Sequence, residues 1–403
     1  MNSSNLFGRI RAVPSTVKSI CFASFFINMS TLMIFSFFGI YLHNNLGVNL
    51  AKIGVLDGTV EACSFIMKLF SGYLSDILCN RKVLLLFGTI LLFLAKPLEA
   101  LGRSFAPLFC AKVLERMGNG IQSTPRDALV GDWAPAPHRA GCFGMRQGMA
   151  AIGALLGTVF AAILYKILNN FQLVFWCACI PAATAVIIVI FGVKNKTVVK
   201  KSETKKISCG IKIKDISKFS KRYWLLLSIA AIYNCAKVSE SLIILNVTNT
   251  FDLNIFMCPL ILTVCYVSNS LTAIISGQIS DKIRNATPIF MLGLGMFALA
   301  DLLFIFASKT PVVTLLALFF MGAYTGVSQS IFAAKISEIA PPDLKGTGLG
   351  LYNLTCALSL LIGGSIIGKT ADLFGFKHAF GLSSVLAIIA LVILSILNKK
   401  DED

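Results

Sequence analysis

Long apolar runs separated by short polar stretches set the character of this chain. A helix needs about 20 mostly apolar residues to cross the hydrocarbon core of a bilayer. Twelve segments reach that length: residues 17–42, 51–76, 83–101, 106–130, 141–168 and 173–193, then 223–250, 256–281, 288–308, 312–337, 346–370 and 378–397. The first is too long and too polar-flanked for a cleaved leader, and no small-residue cleavage site follows it. It is expected to remain as the first helix. The one long hydrophilic stretch, 194–222, divides the runs six and six. The pattern predicts an all-α polytopic membrane protein with twelve transmembrane helices. Its expected parts are an N-terminal six-helix bundle (1–193), a basic cytoplasmic linker (194–222), a C-terminal six-helix bundle (223–397) and a cytoplasmic tail (398–403).

Composition narrows the function classes. Of the 403 residues, 56% are hydrophobic and 14% charged, against roughly 25% charged in an ordinary soluble domain. The mean hydropathy is +0.80. Intrinsic disorder, a coiled coil, a secreted disulfide scaffold and a soluble nucleic-acid-binding protein are excluded. The 12 cysteines are scattered, and no Cys/His spacing suits zinc. Only His43, His138 and His378 are present, too few for a His-based catalytic site, and no nucleotide-binding loop occurs. An enzyme, a metal and a cofactor are therefore not expected.

Charge gives the orientation. The net charge of +17 comes from 36 Lys and Arg against 19 Asp and Glu. Of the 36, 25 fall on one side of the twelve spans, eleven of them between Lys194 and Arg222. Six fall on the other: Lys52, Arg103, Lys166, Lys309, Lys369 and Lys377. The excess of basic residues marks the cytoplasmic side, where anionic lipid is a natural partner. Both termini are predicted to be cytoplasmic, in a cell membrane (the inner membrane of a Gram-negative cell). A monomer is expected. Apolar residues alternating with lysines from Ile207 to Phe219 would suit a short interfacial helix.

The halves repeat. Gly72-Tyr-Leu-Ser-Asp76 ends the second span and Gly277-Gln-Ile-Ser-Asp281 the eighth, 205 positions on. Asp132-Trp-Ala-Pro135 precedes Gly141, and Glu338-Ile-Ala-Pro341 precedes Gly346, the two glycines again standing 205 apart. Two six-helix pseudo-repeats of this kind are a device of secondary transporters. The G-x-x-S-D motif with Arg81-Lys82 resembles the helix 2–3 signature of the major facilitator superfamily. Glu115-Arg116-Met-Gly118-Asn-Gly120 followed by Pro125-Arg126-Asp127 resembles a bacterial branch of it. Gly153-Ala-Leu-Leu-Gly157 is similar to the glycine motif of the family's antiporters, with Thr158 where those carry proline. The resemblance implies a major facilitator fold. It implies a gate at Gly72, Asp76, Arg81, Arg126, Gly277 and Asp281, with Asp76 pairing nearby basic residues. Ile77 and Cys79 depart from the full motif.

Charges within spans are costly, at about 2.5–3.5 kcal/mol each near the bilayer centre, so they need partners or water. Asp57, Glu61 and Lys68 share one face of the second span; Lys112, Glu115, Arg116, Asn119 and Gln122 form a stripe on the fourth; Asn234, Lys237 and Glu240 form another on the seventh. Lys96 with Glu99 and, separately, Asp301 lie on spans that the resemblance makes supporting ones, and are expected to be structural. In the family, helices 1, 4, 7 and 10 line a central cavity. That makes Asn28, Lys112, Arg116, Asn234, Lys237, Tyr324 and Gln329 candidate solute contacts. Burial disfavours a charged carboxylate, so Glu61, Glu115 and Glu240 are candidate proton carriers. The expected function is alternating-access transport of a small anionic or zwitterionic organic solute, coupled to protons. An uncoupled facilitator, a drug- or siderophore-type exporter, and a transporter-like sensor or scaffold stay open.

Overall fold

The protein, seen here as a computed structural model, is described for residues 13–78, 80–135, 139–195, 219–280, 287–306, 310–339 and 345–402. These form twelve helical spans: α1 (Ser15–Ile40), α2 (Leu50–Leu78), α3 (Arg81–Leu101), α4 (Phe105–Trp133), α5 (Arg139–Leu168), α6 (Phe171–Cys177 and Cys179–Gly192), α7 (Lys221–Ala236 and Glu240–Phe251), α8 (Cys258–Ser280), α9 (Thr287–Phe306), α10 (Pro311–Ile339), α11 (Lys345–Phe374) and α12 (Phe376–Glu402). Nine of the described spans are long and apolar enough to cross a membrane. The remaining three are α2 and α4, which carry the clustered charges, and α10, whose apolar part is the shorter Pro311–Val327. The chain is a multi-pass, all-α membrane protein.

Two compact units pack separately, residues 1–37 with 66–199 and residues 38–65 with 200–403. A division at the linker would leave 38–65 with the first bundle; packing groups it with the second half. The reason is a seam of small residues. A Cβ on Gly58 would sit 2.7 Å from the Leu360 carbonyl oxygen, and one on Gly364 2.7 Å from that of Gly54, so α2 and α11 touch backbone to backbone. Lipid leaves little hydrophobic drive between helices, and such close packing supplies the attraction instead.

The first unit uses the same device. A Cβ on Gly88 of α3 would lie 2.7 Å from the Gly118 carbonyl oxygen of α4, and one on Gly157 of α5 2.5 Å from that of Met29 on α1. In the second unit, Gly363 of α11 faces α7, where a Cβ would fall 2.5 Å from Cys235 Cα. Gly363→Leu should therefore push α11 off α7 and destabilise the protein by about 1–3 kcal/mol, as overpacking does. Gly295→Ala, with nothing within 4 Å of the added carbon, should leave thermal unfolding unchanged.

Two spans expected to be continuous are broken. In α6 a turn at Ala178 separates the segments. Pro181 lacks the amide that would bond the Cys177 carbonyl, and Ser30 of α1 donates to the Ala178 carbonyl at 2.7 Å. In α7 residues 237–239 leave the helix. Lys237 is extended (φ −64°, ψ 113°), and the Ser239 hydroxyl accepts from the Leu242 amide, capping the second segment. Glu240 sits in that segment's first turn, where a carboxylate is favoured.

Candidate functional site

The α7 break opens onto a narrow cleft in the second unit. Lys237, Val238 and Glu240 line it from α7, Tyr266 and Asn269 from α8, and Tyr324 and Thr325 from α10. The Tyr266 hydroxyl donates to Glu240 Oε2 at 2.8 Å. Lys237 and Glu240 thus share the cleft without pairing. Among the described residues the Lys237 ammonium has no ion-pair or hydrogen-bond partner. The site combines a cation with no partner among the described residues, a carboxylate held by a phenol, and amide and hydroxyl groups. An unwound stretch of backbone beside a cavity is the arrangement by which membrane proteins bind polar solutes at depth. Tyr324 forms its floor, buried and stacked on Phe297 of α9 with ring centroids 4.5 Å apart.

Asn234 does not face this cleft. Its amide donates to the Ala230 carbonyl at 2.8 Å and to Cys356 Sγ of α11 at 3.4 Å. Gln329 lies on α10, with its side chain outside the described part. Tyr266, Asn269 and Thr325 went unremarked in the sequence. Tyr266 and Asn269 stand three positions apart on one face of α8, a helix that the family pattern does not place on the cavity.

The α4 stripe goes elsewhere. Lys112 and Glu115 face α3 and meet Lys96 and Glu99 there. Lys112 Nζ lies 2.6 Å from Glu115 and 3.5 Å from Glu99; Lys96 Nζ lies 3.4 Å from Glu99 and also contacts Glu115. All four side chains are at most 1% exposed. Two ammonium and two carboxylate groups form a closed, neutral quartet. Arg116 stands beside it, with its guanidinium carbon 5.6 Å from the centroid of the Phe35 ring, which also lies 5.3 Å from Lys112 Nζ. Such cation–π contacts stabilise by roughly 0.5–2 kcal/mol. Asn28 bonds back to the Ser24 carbonyl at 2.8 Å on α1, and Glu61 is half-buried on α2.

Of the expected gate, Arg81 pairs with Asp132, each about a quarter exposed. Arg126 and Arg146 both reach Asp127 Oδ1 at 3.2 Å. Gly72 packs against Thr124, and Gly277 falls within α8. Asp76 is placed only as a position on α2, its side chain outside the described part, and Asp281 lies outside the described residues.

These features match a known class. The profile of the Major Facilitator Superfamily matches residues 20–364 and, a second time, 241–403. The chain belongs to that superfamily. It is 28% identical over 396 residues to an uncharacterised MFS-type transporter of Methanocaldococcus jannaschii, covering 95% of each chain. The structure resembles that of the nucleoside transporter NupG (TM-score 0.76, 11% identity, 94% of this chain and 99% of that one). It also resembles a D-xylose-proton symporter (TM-score 0.73, 16% identity, 94% and 96%). These relatives and neighbours are transporters, not enzymes.

Proposed function

We propose that the protein is a secondary active transporter of a small anionic or zwitterionic organic solute, working by alternating access and coupled to protons. The observation that carries this reading is Lys237, a cation with no partner among the described residues at the break in α7, facing a cleft with Glu240, Tyr266, Asn269 and Thr325. A half-buried ammonium without a protein partner among the described residues is best tolerated where an anion visits it. Glu240, on a helix N-terminus and held by Tyr266, can receive the amino group of a zwitterion or a proton. Glu61, half-buried on α2, is the other proposed proton carrier, whereas Glu115 is held between Lys96 and Lys112. Arg116 over Phe35 and Asn28 on α1 supply polar groups in the first unit.

A thermal-shift screen of the purified protein tests the solute class. Carboxylates, phosphates and amino acids should raise the unfolding temperature, and neutral isosteres of the same size should not. Coupling is read from flux into proteoliposomes with and without a pH gradient. Flux indifferent to the gradient would favour an uncoupled facilitator. Orientation has its own check. Reporter fusions or cysteine labelling should place both termini and residues 200–206 in the cytoplasm, and a periplasmic signal there would reverse the topology.

A further inference from the structure

Asp301 of α9 is fully buried and has no part in the cleft. Its Oδ2 lies 2.5 Å from Ser383 Oγ on α12, and its Oδ1 has no hydrogen-bond partner among the described residues. The same Ser383 Oγ lies 2.6 Å from the carbonyl oxygen of Ala236. That carbonyl ends the first segment of α7, where a helix leaves its acceptors without intrahelical amides.

Counting protons fixes the state of the carboxyl. A backbone carbonyl only accepts, and a serine hydroxyl has one hydrogen. If that hydrogen serves Ala236, the contact between Ser383 and Asp301 needs a second one, which only the carboxyl can carry. Desolvation agrees, because a buried carboxylate without a cation is strongly disfavoured. The titratable groups around it are Tyr324 on α10, Tyr233 on α7 and Tyr352 on α11, and Lys237 follows Ala236 in the chain. None of them is bonded to Asp301.

The pseudo-repeat sharpens the contrast. Asp301 lies 205 positions after Lys96, and Ser383 lies 205 after Ala178. In the first half, Ser30 holds the carbonyl at the α6 break, and the buried charges cancel one another in the quartet. In the second half, Ser383 holds the carbonyl at the α7 break, and the buried carboxyl has no counter-charge among the described residues.

We propose that Asp301 is a proton-binding site: the neutral carboxyl donates to Ser383, Ser383 donates to the Ala236 carbonyl, and the bound proton holds the break in α7. When the proton leaves, the carboxylate draws the Ser383 hydrogen to itself. The Ala236 carbonyl then loses its donor, one residue from Lys237. Only this link to Lys237 rests on the transporter reading; the protonation state does not.

Infrared difference spectroscopy of the full-length purified protein, titrated with acid and base and without any solute, tests it. A carboxylic-acid C=O band should be present at neutral pH and vanish in Asp301→Asn, whose amide can still donate to Ser383. Ser383→Ala should shift that band, because the acid loses its acceptor. A proton held by the folded state and released by the unfolded chain stabilises the fold at low pH, and that stability is lost as pH rises. The wild type's unfolding temperature should therefore fall between the ordinary carboxyl range, about pH 4, and the pH at which the band disappears, and level off above it; Asp301→Asn should lack this step. A band that survives Asp301→Asn, or a step that remains, overturns the proposal. Should Asp301→Asn fail to fold, the Ser383→Ala spectrum decides, with an unshifted band as the contrary result. A transport assay that fails affects neither readout.

Discussion

Lys112→Met should cost the folded protein about 3–5 kcal/mol, because it leaves a buried charge uncompensated. Lys112 sits 2.6 Å from Glu115 and 3.5 Å from Glu99, and no water-exposed surface remains on any member of the quartet beyond 1%. With Lys112 gone, two carboxylates face the single ammonium of Lys96 inside the α3–α4 packing. The double change Lys112→Met with Glu115→Gln should recover most of the loss, because it again leaves one cation and one anion. Thermal and denaturant unfolding in detergent would measure both. A loss below about 1 kcal/mol, typical of exposed pairs, would mean that these charges meet water, and would return Lys112 to the solute contacts expected from the α4 stripe.

Lys237→Gln should weaken solute binding by roughly 2 kcal/mol or more, about thirtyfold, as loss of one partner of a desolvated charged contact does. Lys237→Arg should rescue only part of this, since a planar fork does not replace a point charge. The competing idea is that Lys237 neutralises Glu240. In the structure Glu240 is bonded by Tyr266 instead, and the lysine and the carboxylate do not pair. Adding Glu240→Gln to Lys237→Gln should therefore leave binding weak. Wild-type affinity in the double variant would make Lys237 a counter-ion and remove it from the solute site.

The twelve spans were legible because crossing a bilayer demands about 20 apolar residues, and composition shows this directly. The helix breaks were not. Residues 234–240 contain neither Pro nor Gly, and the segment Lys221–Phe251 taken whole is apolar enough to read as one span. The break depends on the Ser239 cap and on Ser383, which comes from α12, 147 positions along the chain. The stripe on α4 was legible as a face, but periodicity does not say which neighbour a face meets. Lys96 and Glu99 looked like a local pair, and Lys112 with Glu115 like a cavity lining, until α3 and α4 came together. Lys237, Glu240 and Tyr324 do share a cleft. Nothing in the sequence marks their companions Tyr266 and Asn269, because the family pattern does not place α8 on its cavity.

Flux into proteoliposomes carrying the wild type or Lys237→Gln tests the central claim most directly, using an anionic or zwitterionic solute found by thermal shift. The wild type should take up the solute, faster under a pH gradient, and Lys237→Gln, reconstituted at equal density and equally stable, should lose most of that uptake. Uptake by Lys237→Gln at the wild-type rate would contradict the account.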